Sequence, residues 1–246
     1  MAIKNLWRRV TRSILTVLGI AIGVAAVVAL GAMADGIAKN YGDALGLSND
    51  LLVTQANAYD VVFSNLDQDV GQRIDTIPDV VNVDPGVFTW IAVGDVPYFL
   101  VYGYEPGSVA MEHYQIVEGK PVTNEKQIAI GRRAADALKK QLDDTLRIYG
   151  IPYRIVGIYE TGQGMEESGG VVALADAQVI AQKQRQVSLF QVGVRPNSDI
   201  DQIIQRIENL DKDITVSKAS DYSSSEQWTA SLTGFAWGIA IIAILI

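Results

Sequence analysis

Few residues in this 246-residue chain are of the kinds that do chemistry, and their spacing is unpromising. There is no cysteine and a single histidine, His113. Without thiols, disulfides, thiolate zinc sites and a cysteine nucleophile are excluded, while the redox compartment stays open. One histidine makes a metal site only with several carboxylates gathered round it. Glu112 is adjacent, but neighbours on a strand point to opposite faces, so His113 is expected to be a surface or structural residue. The stretch TGQGMEESGG at Thr161–Gly170 is glycine-rich. A phosphate-binding loop ends in Gly-Lys-Ser/Thr, whereas this one carries Glu166 and Glu167, which would repel a nucleotide. The two carboxylates can bind a cation weakly or lie in solvent, and solvation is the expectation. No nucleophile elbow, HExxH or EF-hand pattern is present. The residues therefore predict no catalytic, cofactor-binding or metal site and no enzyme.

The elements that hold these residues begin with Ser13–Ala34, SILTVLGIAIGVAAVVALGAMA, which is 22 residues long and uncharged. As a helix it would measure about 33 Å, against a hydrocarbon core of about 30 Å. It reads as a transmembrane helix. A cleaved signal peptide is the competing reading, but a signal core has only about 7–15 apolar residues. Thr229–Ile246 is also uncharged, and its 18 residues would span about 27 Å. It reads as a second span that stops partway, with the chain cut inside its membrane region. Gly19 and Gly23 in the first run, and Gly234 and Gly238 in the second, form GxxxG pairs. Small residues at that spacing let helices pack closely, so these four are the helix-packing candidates.

The net charge of −8 hides an asymmetry. Lys4, Arg8, Arg9 and Arg12 precede the first span. All 28 acidic residues and the other 16 basic ones lie between Asp35 and Gln227, a balance of −12. Basic flanks favour the cytoplasmic side, which places the N-terminus inside and the middle of the chain outside. An acidic domain without a basic cluster excludes nucleic acid as a partner. In residues 1–12, Ile3, Leu6, Trp7 and Val10 share one helical face, suited to the inner headgroup layer. The expected organisation is a cytoplasmic N-terminus at 1–12, a helix at 13–34, an extracytoplasmic domain at 35–227 and a second helix at 228–246.

Within the middle domain the pattern alternates between strands and helices. The first helix should run on from Ala34 towards Tyr41. Leu51–Val53 reads as a strand and Leu66–Ile77 as a helix stopped by Pro78. Val80–Val83 and Val87–Val93 read as strands separated by a turn at Asp84-Pro85-Gly86, and Tyr98–Tyr104 as another strand. His113 falls in an irregular segment. Further on come a strand at Gln127–Ile130, a helix at Arg132–Leu142 and a hairpin of Asp144–Tyr149 with Tyr153–Glu160. A strand at Val171–Leu174, a helix at Ala175–Arg185 and a strand at Val187–Arg195 follow. The last elements are a helix at Ser198–Leu210, capped by Asn197 or Ser198, and a strand at Ile214–Val216. The fold class is α+β, of one or two subdomains, flanked by transmembrane helices.

Four stretches together resemble the FtsX-like, MacB-type ABC transporter permeases. They are RSILTVLGIAIGVAAVVAL at Arg12–Leu30, IDTIPDVVNVDP at Ile74–Pro85, EKQIAIGRRAADAL at Glu125–Leu138, and DDTLRIYGIPYRIVGIYETG at Asp143–Gly162. Their order and spacing around one long insertion carry the likeness. Where the family often has Val-Gly-Asp, this chain has Leu142-Asp143-Asp144. The resemblance implies a MacB-like periplasmic core domain between two spans. It also implies a partner ATPase that binds the ATP, with no cofactor in this chain, and a second permease copy, as homo- or heterodimer. A periplasmic adaptor or a cell-wall hydrolase is a further implied partner, alongside membrane lipid. The implied function is coupling of ATP hydrolysis to movement of the outer domain in export, lipoprotein release or hydrolase control. The alternative is a membrane-anchored extracytoplasmic binding or adaptor domain without transport activity. A membrane-tethered enzyme has the least support.

Overall fold

The computed structural model describes residues 50–219 continuously, together with helical positions scattered between Val10 and Ala32. The chain divides into two compact units, Met1–Asn40 with Ser223–Ile246, and Tyr41–Tyr222. Among the described residues no helix is long and apolar enough to cross a membrane. The second apolar run, the run-on to Tyr41 and half of the first span lie outside the described residues. Ile14, Leu18, Ile22 and Val28 are described; they are helical and more than half exposed.

The large unit is built on one mixed sheet. In chain order its first strands are β1 (Leu51–Gln55), β2 (Leu66–Asp67), β3 (Val80–Val93), β4 (Val96–Tyr104), β5 (Gln115–Gly119) and β6 (Gln127–Gly131). They are followed by β7 (Thr145–Ile148), β8 (Ile151–Glu160), β9 (Gly170–Ala173), β10 (Gln186–Val187), β11 (Leu189–Val194) and β12 (Ile214–Lys218). The helices are α1 (Asp69–Asp75), α2 (Val109–Glu112), α3 (Arg132–Leu138), α4 (Leu174–Ala181) and α5 (Ile200–Glu208). The sheet runs β12-β1-β11-β3-β4-β9-β6-β8-β5, with β7 paired to β8, and β10 pairs separately with β2. β4 with β9 and β6 with β8 are parallel; the other neighbours are antiparallel.

Both faces of the sheet are covered, which explains its continuous apolar runs. Along β4, Phe99 and Val101 join a cluster with Ile74, Ala177, Ile203 and Ile207 of the helices. Leu100, Tyr102 and Tyr104 face the other way, into a cluster with Phe88, Met111, Tyr114 and Tyr159. α5 keeps its isoleucine stripe, with Ile203 and Ile207 buried.

Several boundaries differ from the sequence expectation. Residues 80–93 form one strand rather than two with a turn. Pairing with β4 begins only at Gly86, so at Pro85 the strand has one neighbour, β11, and a missing N–H is tolerated. The segment from Leu66 starts as a short strand before α1. α3 ends at Leu138, not 142, because Lys139 turns left-handed at φ 51°. α4 ends at Ala181 by the same device at Gln182, φ 56°. The α5 cap is Asp199, whose carboxylate accepts the Gln202 amide at 3.1 Å, rather than Asn197 or Ser198. The segment around His113 is not irregular: it holds α2 and leads into β5. The β7–β8 hairpin turns through Tyr149 and Gly150, both at positive φ, as a two-residue turn matched to strand twist requires.

One buried cation fastens the loop after β1. Lys183 is 9% exposed, and its Nζ donates to the carbonyls of Val62 at 2.9 Å and Ser64 at 2.7 Å and to Ser188 Oγ at 2.9 Å. Burial pushes its ammonium down to about 8 from the usual 10.5. Lys183→Met leaves those carbonyls without Nζ and should cost about 1–3 kcal/mol in urea unfolding of the detergent-solubilised chain. Between pH 8 and 10.5 the unfolded chain holds a proton that folded Lys183 has lost, so raising pH favours the folded state there. That rise should be absent from Lys183→Met and so should appear in the difference between wild type and variant.

Candidate functional site

The glycine-rich loop at residues 161–170 leaves β8 and returns into β9. It closes on itself by bonds that its sequence supplies. Glu167 Oε1 accepts the amides of Thr161 at 3.1 Å and Gly162 at 2.9 Å. The Glu167 amide donates to the Gln163 carbonyl at 2.9 Å, and Ser168 Oγ donates to the Gly164 carbonyl at 2.7 Å. Two glycines let this knot sit against the sheet. A Cβ on Gly131 would collide with the backbone of Glu167, and one on Gly169 with the carbonyl oxygen of Leu100. The Gly131 amide donates to the Gly169 carbonyl at 3.0 Å between them.

Glu166 points inward from this loop and is fully buried, which corrects the expectation of a solvated carboxylate. Its Oε1 lies 2.9 Å from His113 Nε2. Its Oε2 has no hydrogen-bond partner among the described residues. The Tyr159 hydroxyl donates to the Glu166 carbonyl at 2.7 Å. Around the pair stand aromatic rings at packing distance. His113 and Tyr114 are 5.2 Å apart edge-on, Tyr114 and Tyr159 5.1 Å, and Phe88 and Tyr102 5.3 Å. Tyr104 receives a hydrogen bond from Gln191 at 3.0 Å.

The electrostatics follow from burial. Hydrogen bonding to Glu166 raises the His113 imidazole above its usual 6.5; burial opposes this, and the charge of Glu166 adds to it. Desolvation and the nearby Glu166 charge push Tyr104 and Tyr159 upward; for Tyr114 desolvation leads, followed by Tyr104, Tyr102 and then Glu166. Burial thus holds these phenols in the protonated form, while His113 is held towards its charged form by Glu166. The neighbouring Glu112, the sequence-adjacent candidate, is not the partner: the pair joins residues 53 positions apart. A local pattern carries no signal of that.

Two other places gather polar side chains. Asp176, at the start of α4, is 1% exposed and accepts both the amide and the Nζ of Lys126 at 2.6 Å. It clamps the turn before β6 onto α4, a structural role. Beside it an open groove of about 600 Å³ is lined by polar side chains including Gln68, Glu105, Asn124, Glu125 and Gln178. No group of three or more His, Asp or Glu side chains that could hold a metal ion occurs among the described residues. Of the helix-packing candidates, Gly23 lies in a helix with open space where a Cβ would stand; Gly19, Gly234 and Gly238 lie outside the described residues.

The loop's dependence on its glycines is directly testable. Gly169→Ala forces backbone against backbone and should destabilise the chain by about 3 kcal/mol, the upper end for overpacking. Gly150→Ala, where nothing lies within 4 Å, should cost only its backbone strain at φ 81°. Parallel urea melts of the two variants compare them.

The comparisons with known proteins agree with this fold. Residues 13–210 match the profile of the MacB-like periplasmic core domain. An uncharacterised ABC transporter permease of Methanocaldococcus jannaschii is 24% identical over 271 residues, covering 100% of this chain and 67% of that protein. The periplasmic region of MacB from Actinobacillus actinomycetemcomitans superposes with a TM-score of 0.56 at 12% identity, over 74% of this chain and 94% of that one. The extracellular domain of the noncanonic ABC-type transporter YknZ from Gram-positive bacteria gives 0.55 at 11% identity, over 69% and 100%. At such identities the two structures speak for the fold, and the profile match for the family. The chain belongs to the family of ABC transporter permeases that carry a MacB-like periplasmic core domain.

Proposed function

We propose that this chain is a permease subunit in which a separate ATPase, bound on the inner side, moves the outer domain at 35–227 through helices at 13–34 and 228–246. One observation carries the reading. The strand that opens the large unit and the strand that closes it are neighbours: Leu51 pairs directly with Lys218. The Ala219 amide donates to the Asp50 carbonyl at 3.0 Å, and Asp50 Oδ2 accepts the Val194 amide at 2.9 Å. The described ends of the domain, at Asp50 and Ala219, therefore lie on adjacent strands about 5 Å apart. Any relative shift of the segments beyond them is delivered to adjacent strands. Because β1 is hydrogen-bonded on both sides, a pull on it passes to β11 and on to β3 and β4.

The exposed apolar side chains at Ile14, Leu18, Ile22 and Val28 support a lipid-facing first helix, since water is a poor place for such a row. The chain itself binds no cofactor in this reading; ATP belongs to the partner ATPase. A second permease copy completes the transporter. Export, lipoprotein release and control of a cell-wall hydrolase are outputs that the same motion can serve, the last two through a periplasmic partner.

Motion passes through a connector only if the connector is stiff. A flexible Gly-Ser insertion of about ten residues beside Asn40 should leave ATP hydrolysis and folding of the assembled transporter intact and abolish its output. Full output in that variant would instead favour an anchored adaptor domain that does not need to be driven.

A further inference from the structure

Glu166 is a buried carboxylate with one oxygen engaged by His113 and the other without a partner among the described residues. That is an unstable arrangement unless the imidazole is charged. A fully buried anion without a counter-charge costs several kcal/mol, and the usual escape is to bind a proton or leave the interior. Here the carboxylate sits on a loop whose other attachments are mostly internal to itself. His113 sits at the end of α2, and its side chain is about a third exposed. It can therefore exchange its proton with solvent directly.

We propose that the His113–Glu166 pair is a proton-operated latch that holds loop 161–170 against the sheet in acid and releases it as pH rises. With His113 protonated, the pair is an ion pair closed by a hydrogen bond. Loss of the proton leaves one net negative charge among apolar rings and neutral phenols, and the loop swings outward to hydrate it. The sign follows from linkage. The folded chain holds the His113 proton more tightly than the unfolded chain does, so the latch is complete below the usual 6.5 and fails as pH climbs through the raised folded value.

The groups facing the pair do not offer a competing switch. Tyr114 beside His113, Tyr104 on β4 and Tyr159 on β8 are all held in the protonated form. Asp84 on β3 bears on Tyr104 and accepts the Ala110 amide at 3.1 Å. Glu167 is held by the Thr161 and Gly162 amides and lies 3.7 Å from Arg133 of α3, while Glu160 of β8 is bound by Arg132 at 2.9 Å. If the domain lies outside the membrane, as proposed above, the pH that sets the latch is that of the surroundings; the latch itself does not depend on transport.

His113 is the one histidine of the chain, so a ring-labelled sample gives a single imidazole signal. The experiment follows that signal by NMR, and the amide exchange of residues 161–170 by mass spectrometry, on the full chain in detergent from about pH 6 to about pH 9. Exchange is corrected for the intrinsic effect of pH. In wild type the imidazole should titrate above its ordinary value, and loop protection should fall by at least about tenfold over the titration, while β4 stays protected. Glu166→Gln should return the imidazole to its ordinary range or below and make loop protection independent of pH. His113→Gln should do the same to the loop. Wild type decides the matter even if a variant fails to fold. An imidazole titrating at or below 6.5, or loop protection that does not change with pH, overturns the proposal.

Discussion

The pairing of β1 between β11 and β12 is the constraint on which the large unit rests. Leu51, Leu52 and Val53 are buried on both faces, and their backbone groups are satisfied from both sides. Neither partner is nearby in sequence. Closing a loop of about 160 residues costs on the order of 4–5 kcal/mol in chain entropy before any contact is made. The pairing overcomes that cost only because α5 and the first apolar cluster arrive with β11 and β12 and bury the same strand. Stability, topology and the adjacency of the described ends at Asp50 and Ala219 are thus one fact seen from three sides.

Of the charged groups buried among the described residues, Asp176, Lys183 and Glu166 are fastened to different degrees. Asp176 has both oxygens filled by Lys126. Lys183 has all three donors filled, though by neutral acceptors, so its charge is tolerated rather than neutralised. Glu166 has one oxygen filled, by an imidazole that its hydrogen bond to Glu166 raises above the usual value. The hierarchy separates structure from mobility. The first clamp fixes a turn, the second fixes a loop, and the third is where the smallest change in conditions alters the balance.

Much of the large unit was legible in its sequence. Tyr98–Tyr104 and Val87–Val93 announce strands by composition, Gly150 with its flanking alternation announces a hairpin, and the isoleucines of α5 announce a helix by their spacing. These are local signals. The reading failed where a neighbour in space outvoted them. Pro85 looks like a turn until the absent β4 partner at that position is known. Lys183 reads only as part of a helix at Ala175–Arg185 until the carbonyls of Val62 and Ser64 close over it. Glu166 and Glu167 look alike in sequence, yet one caps its own loop and the other reaches a histidine 53 residues away. Long-range order is carried by register and burial, and neither leaves a mark within a ten-residue window.

The order of the strands has a further consequence for how the chain is made. β1 is the first strand of the sheet to be synthesised, and its final neighbour, β12, is the last. At about 5–20 residues per second, some 10–30 s separate the two. Until β11 emerges LLVTQ has both edges bare, and until β12 emerges one of them, the kind of segment that pairs with whatever it meets. The large unit therefore cannot mature piece by piece as it emerges. Its biogenesis ends in a single late closure, with the earliest strand waiting for the latest.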